Sequence, residues 1–425
     1  MIKFPGIFSS PKFKIPAEKN KVFLNISFFY AMFLFGINFG MVSPVLIELS
    51  KKIGAPISAM GNFFSLVAVG FITGAFLSSL LARFNMRKIV FLSFYFLLPS
   101  SIFSIAFSSN YNFLLISGFF MGLANGLLES NITVLLSEIN KGKEAQSINN
   151  SQAVISFGAF FGPLISTLLV KSGISIKNAF ILIAILSFLN FIFILFLDIP
   201  LGYFNKKDSL KLAGLAFKNK IKNSSRTTVN IFIKNIFIML ALFAAMFLYV
   251  SAESGINSWV PTYLRIEKNF SALLAGNIIS FFWLSLALGR LLIGYFTRKT
   301  RSIYILSAIT LISVIMFKIG TLLFAPIPIV AVFLATGFFI SGIWPMIASL
   351  GVEFFPRQGS TFLPLIIMAG GAGGIFSPWL IGVIYSGSNL SRAINFIFVF
   401  FILLLAVISF LLFSDLKFFK KKPQV

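Results

Sequence analysis

NFLLISGFFMGLANGLLESNITVLL, residues 112–136, runs for 25 residues with a single charge, Glu129. About 20 mostly apolar residues suffice for a helix to cross a bilayer, so the stretch reads as a membrane span that carries a carboxylate. The same pattern recurs along the chain. Twelve candidate spans follow one another, at 22–47, 57–81, 89–108, 112–136, 147–170, 178–197, 236–263, 272–296, 303–323, 327–350, 359–385 and 394–414. The expected fold is an all-α polytopic membrane protein of twelve transmembrane helices in two six-helix, pseudo-symmetric halves.

Composition agrees. Of 425 residues 58% are hydrophobic and 11% charged, with a mean hydropathy of +0.97; an average soluble protein is about one quarter charged. The net charge is +24. In a soluble protein that surplus suggests nucleic acid. Here the cations lie in the loops, where they meet anionic lipid and set topology, so a bilayer and not a nucleic acid is the expected partner. There is no cysteine and no histidine, which excludes disulfides, thiolate chemistry and Cys/His metal sites. Proton chemistry near neutral pH falls to carboxylates.

Orientation follows from Lys/Arg bias. The N-terminus, the loops after even-numbered spans and the C-terminal tail hold 26 basic residues, and the opposite loops hold 7. Both termini are therefore expected in the cytoplasm, in the cell (inner) membrane. The lysine-rich loop 198–235 is the expected linker between halves 1–197 and 236–425, with a short surface helix over 210–221. An internal repeat supports the division. At a constant offset of 215 residues Gly40 pairs with Gly255, Asn62 with Asn277, Ser65 with Ser280, Arg83 with Arg298, Glu138 with Glu353 and Pro163 with Pro378. Parallel six-helix repeats are a transporter plan, with the substrate site near the midplane between them.

An ionisable residue at a span's centre costs about 2.5–3.5 kcal/mol on insertion scales and usually lines a pathway. Two acids qualify. Glu129 shares a helical stripe with Asn125 and Thr133, and Glu253 shares one with Tyr249 and Asn257. The alternative is a buried glutamate that only bonds a neighbouring helix. On the fifth span Asn149, Gln152 and Ser156 share a face suited to a polyol, and Asn38 is a polar candidate on the first. Trp283 and Trp344 are deep enough to stack on a ring-shaped solute, whereas Trp259, near an outer end, suits the membrane-interface belt. Arg290 is close enough to a helix end to snorkel, and Lys318 can pair or snorkel. Arg83 and Arg87, with Glu138, and Arg298 with Glu353 form matching sets in the two halves, expected as an ion-pair gate on the inner face. The AGGAGG run, 369–374, suits either a gating helix or tight packing.

These residues resemble the major facilitator superfamily, and within it the fucose–galactose–hexose permease branch with its fucose-permease and TsgA-type members. RFNMRK (83–88) is similar to a degraded form of the superfamily's loop signature, with Ala82 and Asn85 where Asp and Gly are usual. GLANGLLESN (122–131) and SQAVISFGA (151–159) resemble the segments in which a glutamate of the fourth helix and a glutamine of the fifth contact sugar, which implies site roles for Glu129 and Gln152. SAESGINSWVPTYL (251–264) and FFWLSLALGRLLIG (281–294) also look like this branch. One departure stands out: fucose permease carries a proton-coupling aspartate on its first helix, where Gly40 stands here.

The expected function is secondary active transport by alternating access, with proton- or sodium-coupled uptake of a small polar solute such as a monosaccharide. An exporter of apolar or cationic molecules and a non-transporting sensor are the alternatives. No catalytic cluster and no G-x-x-x-x-G-K-[ST] phosphate loop is present, so neither an enzyme nor a primary pump is expected. No cofactor is expected, and the chain is expected to act as a monomer.

Overall fold

Lipid offers no partner to a peptide N–H or C=O, so an apolar run of this length has to satisfy its backbone within itself, as a helix. The computed structural model describes residues 17–81, 87–199, 236–296, 301–355 and 359–419, and its regular elements are all helical. In the first half these are α1 (Ala17–Met41), α2 (Leu46–Ile53), α3 (Met60–Leu81), α4 (Arg87–Ala106), α5 (Tyr111–Ile139), α6 (Glu144–Lys171) and α7 (Ile176–Leu195). The second half comprises α8 (Ile236–Ile266), α9 (Ala272–Phe296), α10 (Ser302–Leu322), α11 (Pro326–Ile340), α12 (Ile343–Phe354), α13 (Gly359–Gly387) and α14 (Leu390–Phe419).

Among the described residues eleven segments are long and apolar enough to cross a membrane, and the apolar part of α4, Val90–Ala106, is a shorter twelfth. Two crossings are broken. A 3-10 turn, Ser43–Val45, separates α1 from α2, because Pro44 fixes its own φ and has no N–H to donate. The α11–α12 break at Ser341–Gly342 precedes Pro345, whose ring crowds the carbonyl four residues back. The first crossing is also longer than the 22–47 of the sequence reading. Glu18, Lys19 and Lys21 lie within its first turns, where long side chains reach the headgroups.

The repeat extends to the helix bounds. Shifted by 215, α5 becomes 326–354, the joint span of α11 and α12, and α6 becomes 359–386 against 359–387 for α13. Residues 200–235, which hold most of the expected linker and the short helix over 210–221, lie outside the described residues.

Close helix contact in the first half depends on glycine. Gly36 and Gly40 of α1 lie against the backbone of α6 at Ile155 and Ala159, while Gly158 and Gly162 of α6 lie against Phe33 and Ile37. Gly70 and Gly74 of α3 meet Phe119 and Leu123 of α5, and Gly122 and Gly126 return the contact at Val67 and Phe71. In lipid no hydrophobic force drives helices together, so this small-xxx-small packing carries much of the association. The AGGAGG run behaves similarly: Gly373 sits on the Phe247 carbonyl of α8, and Gly371 faces Ile72 of α3 across the halves.

Several contacts between the halves cluster at the predicted outer end. Ser65 Oγ donates to the Ile375 carbonyl at 2.7 Å, Gly61 abuts Pro378, and Gly276 abuts Thr167. Trp259 is not in an interface belt. It is fully buried, and its indole N–H donates to the Pro378 carbonyl at 3.0 Å, pinning α8 to α13. The belt reading failed because burial there depends on a neighbouring helix that the sequence does not name.

A methyl added at Gly122 has no room, since the Val67 backbone occupies its place. Gly122→Ala should cost about 1–3 kcal/mol by overpacking, read as a lower Tm of the purified protein. Gly387→Ala, with open space around it, should leave the Tm unchanged.

Candidate functional site

Glu129 lies 18 residues from the start of α5 and 10 from its end, about 27 and 15 Å along the axis. Gln152 of α6 donates from Nε2 to Glu129 Oε1 at 3.1 Å. In the other half Tyr249 donates its hydroxyl to Glu253 Oε1 at 3.0 Å, one turn along α8. Arg290 of α9 joins the two pairs. Its guanidinium lies within electrostatic reach of Glu129 and of Glu253, hydrogen-bonds Tyr249, and donates to Ser156 Oγ of α6 at 3.3 Å. With both acids ionised, this group of two carboxylates and one guanidinium carries a formal charge of minus one. In a low-dielectric interior such a residual charge is costly.

A second layer lies beside it. Trp283, seven residues before Arg290 and so on the same face of α9, donates its indole N–H to Asn257 Oδ1 at 2.9 Å. Its ring meets Phe39 of α1 edge-on, with centroids 5.4 Å apart. Asn257, beyond Glu253 on α8, and Trp283, before Arg290 on α9, thus place polar and aromatic groups on the predicted outer side of the cluster.

The structure brings together Glu129 with Gln152, Tyr249 with Glu253, and Asn257 with Trp283, and it sets Asn125 beside Glu129 on a shared cavity. Asn38 is 2% exposed and neither of its amide heteroatoms has a hydrogen-bond partner among the described residues. Trp344, half-buried, packs against the general core and makes no hydrogen bond or ring contact with the cluster among the described residues. Of the expected inner gate, Arg83 and Arg298 lie outside the described residues, as does the side chain of Arg87. Glu353 accepts from Ser302 at 3.3 Å and from Ser349 at 3.1 Å, and Glu138 lies half-buried in the last turn of α5. Asn149's side chain is likewise outside what is described, and Lys318 points to Asn395 (3.4 Å) and over the Phe398 ring.

Two functional candidates escaped the sequence reading. From sequence alone Arg290 is only close enough to a helix end to snorkel. The available signal was its register with Trp283. The other is an ion pair between the halves at the predicted outer end. Arg265, at the end of α8, grips Glu48 of α2 through both nitrogens, at 2.6 and 2.8 Å, and donates to the Pro44 carbonyl at 2.9 Å. The two side chains are 14% and 26% exposed. Nearby, Lys268 donates to the Thr321 carbonyl at 2.9 Å and sits 3.6 Å over the Phe324 ring. Burial lowers its ammonium pKa, and Glu267 partly opposes that.

A family model of the Major Facilitator Superfamily matches residues 28–362. The chain belongs to this superfamily. It is an integral membrane transporter, not an enzyme. Among similar curated proteins is a protein TsgA homolog of Buchnera aphidicola subsp. Baizongia pistaciae, 22% identical over 361 residues, or 84% of this chain and 87% of that protein. Another is the glucose/mannose transporter GlcP of Bacillus subtilis, 24% identical over 367 residues, covering 84% and 86%. Among solved structures, a bacterial homolog of the human lysosomal transporter Spinster, inward-facing and unoccupied, superposes with a TM-score of 0.74 at 12% identity, over 92% of this chain and 97% of that one. The nucleoside transporter NupG does so at 0.71 and 15%, over 92% and 99%. At such identities these structures speak to the fold alone.

The Glu48–Arg265 pair is bidentate but partly wet, which limits it to about 1 kcal/mol. Removing it by Arg265→Gln should loosen the outer contact. The natural chain has no cysteine, so Thr167→Cys, at a fully buried contact with Gly276, is a clean reporter. Its maleimide labelling rate should rise roughly five-fold in the Arg265→Gln background, as 1 kcal/mol implies.

Proposed function

We propose that the chain takes up a small, neutral, hydroxylated solute, a monosaccharide being the best fit, together with one cation. The observation that carries this reading is the cluster shared by both halves: Glu129, Gln152 and Ser156 on one side, Tyr249, Glu253 and Arg290 on the other, with a formal charge of minus one. Gln152, Asn257 and the two carboxylates offer the directional donors and acceptors that sugar hydroxyls require, and Trp283 with Phe39 offers aromatic surface. The named sugar transporter among the curated relatives supports the same solute class.

In this mechanism the halves 1–197 and 236–425, linked by 198–235, rock about the cluster in the cell membrane with both termini in the cytoplasm. The Glu48–Arg265 pair, with the Ser65 and Gly61 contacts to α13, holds the outer end shut, so the described conformation closes outward. A cation that neutralises the cluster lets Arg290 exchange partners as the halves move; without it, one carboxylate stays uncompensated in a dry interior. Arginines 83, 87 and 298 with Glu138 and Glu353 are proposed to close the inner face in the alternate state.

Uptake of labelled glucose, mannose or fucose into proteoliposomes tests this. An inward gradient of protons or of sodium should drive accumulation of one of these sugars. Glu129→Gln should lower gradient-driven accumulation by about tenfold or more, the equivalent of one lost charge-assisted interaction. Absence of accumulation of all three sugars under both gradients would contradict the reading.

A further inference from the structure

Behind Glu129, inside the first half, lies a cavity of about 20 Å³ between α1, α4, α5 and α7. That is room for one water molecule or one small ion. Its polar lining comes from Asn125, Glu129, Tyr95, Ser187 and Asn190. Two of these residues hold buried atoms with no hydrogen-bond partner among the described residues: Asn125 Oδ1, in a side chain 4% exposed, and Ser187 Oγ, in one 3% exposed. Such atoms are uncommon in folded proteins, and an ion or an ordered water is the usual explanation.

We infer that this cavity binds one sodium ion, held by Glu129, the Asn125 carbonyl oxygen and the Ser187 hydroxyl. This inference rests on the reading of Glu129 as a coupling carboxylate and adds the ion and its ligands.

Three features select the ion. All three groups present oxygen, the donor that hard cations take, and neither thiolate nor imidazole exists anywhere in the chain to attract a softer metal. Charge selects a monovalent ion. The site supplies one carboxylate, and the cluster with Arg290 lacks a single positive charge. Calcium would leave a surplus charge in the interior and prefers six to eight oxygens, while magnesium keeps several waters for which there is no space. Sodium is the smaller of the two common monovalent cations and draws its oxygens closer, which suits three ligands around so small a space.

The frame around the cavity is held in place. Ser27 donates to Asn190 Oδ1 at 2.8 Å, and Asn190 Nδ2 donates to Tyr95 Oη at 3.0 Å and to the Ser27 carbonyl at 3.1 Å. These bonds tie α1, α4 and α7 together, so the oxygens from α5 and α7 face a fixed volume. On the other side Glu129 Oε1 accepts from Gln152, which links the ion site to the solute side of the cluster. Occupancy by sodium would thus set the charge that Arg290 meets.

The full-length protein, purified in detergent without solute, tests this by thermal unfolding in NaCl, KCl and choline chloride at equal ionic strength. Sodium should raise Tm in a saturable way, and potassium and choline should not, because a ligand that binds only the folded state stabilises it by mass action. Equilibrium dialysis with radioactive sodium should give about one site per chain. Ser187→Ala should move the sodium dependence at least about tenfold to higher concentration, as loss of one ligand predicts; if that variant does not fold, the dialysis result on the natural protein decides. No sodium-specific shift and no bound sodium would mean that the cavity holds a buried water only, and would overturn the proposal, as would an unchanged response in folded Ser187→Ala. Because no solute is present, sodium binding without sugar uptake would contradict the sugar reading alone, and sugar uptake without sodium binding would contradict this site alone.

Discussion

One guanidinium serves two carboxylates. Arg290 stands between Glu129 on α5 and Glu253 on α8, in an interior where an ion has little else to answer it. On a water-facing surface the imbalance would be screened and unimportant. Between helices in a bilayer it makes the two halves of the molecule depend on each other, because Arg290 belongs to the second half and bonds Ser156 of the first. It also gives the protein a reason to admit a cation. Gln152 and Tyr249, each bonded to one acid, hold the carboxylates in place with neutral donors, which leaves the missing charge to come from outside.

The rest of the architecture supports a contact of that kind. Glycine zippers in the first half bring α1 to α6 and α3 to α5 at backbone distance, which makes that half a stiff frame for Glu129. The Glu48–Arg265 pair and the α3–α13 contact join the halves at the predicted outer end. Arg265 lies twelve residues beyond Glu253 on α8, about 18 Å along the axis. In the proposed cycle, outer closure and the charge of the cluster are two separate interactions across one interface, and rocking changes both.

The fold was largely legible in the sequence, because an apolar run of about 20 residues in lipid has one way to satisfy its backbone. The 215-residue repeat went further, since it anticipates that α5 and the pair α11–α12 occupy equivalent positions despite the break at Ser341–Gly342. Within the site, legibility followed chain distance. Tyr249 and Glu253 sit one turn apart on one helix, so spacing alone pairs them. Glu129 and Gln152 lie on neighbouring helices; each stands out as a polar residue in an apolar span, and resemblance to a family is what joins them. Arg290 and the Glu48–Arg265 pair were not found, because hydrophobic pattern fixes a helix's register but not which helix it faces. Trp259 was misread for the same reason, and Asn38 and Trp344 make no hydrogen bond to the cluster among the described residues.

In the proposed cycle the cluster takes up one positive charge per turnover. Voltage tests it most directly. With a neutral sugar as solute, an inside-negative potential imposed on proteoliposomes by a potassium gradient and valinomycin should accelerate uptake, and the reversal potential should correspond to one positive charge moved per sugar. Uptake that proceeds at the same rate whatever the potential would contradict the account, because a cycle without net charge leaves Glu129 and Glu253 with nothing to share Arg290 for.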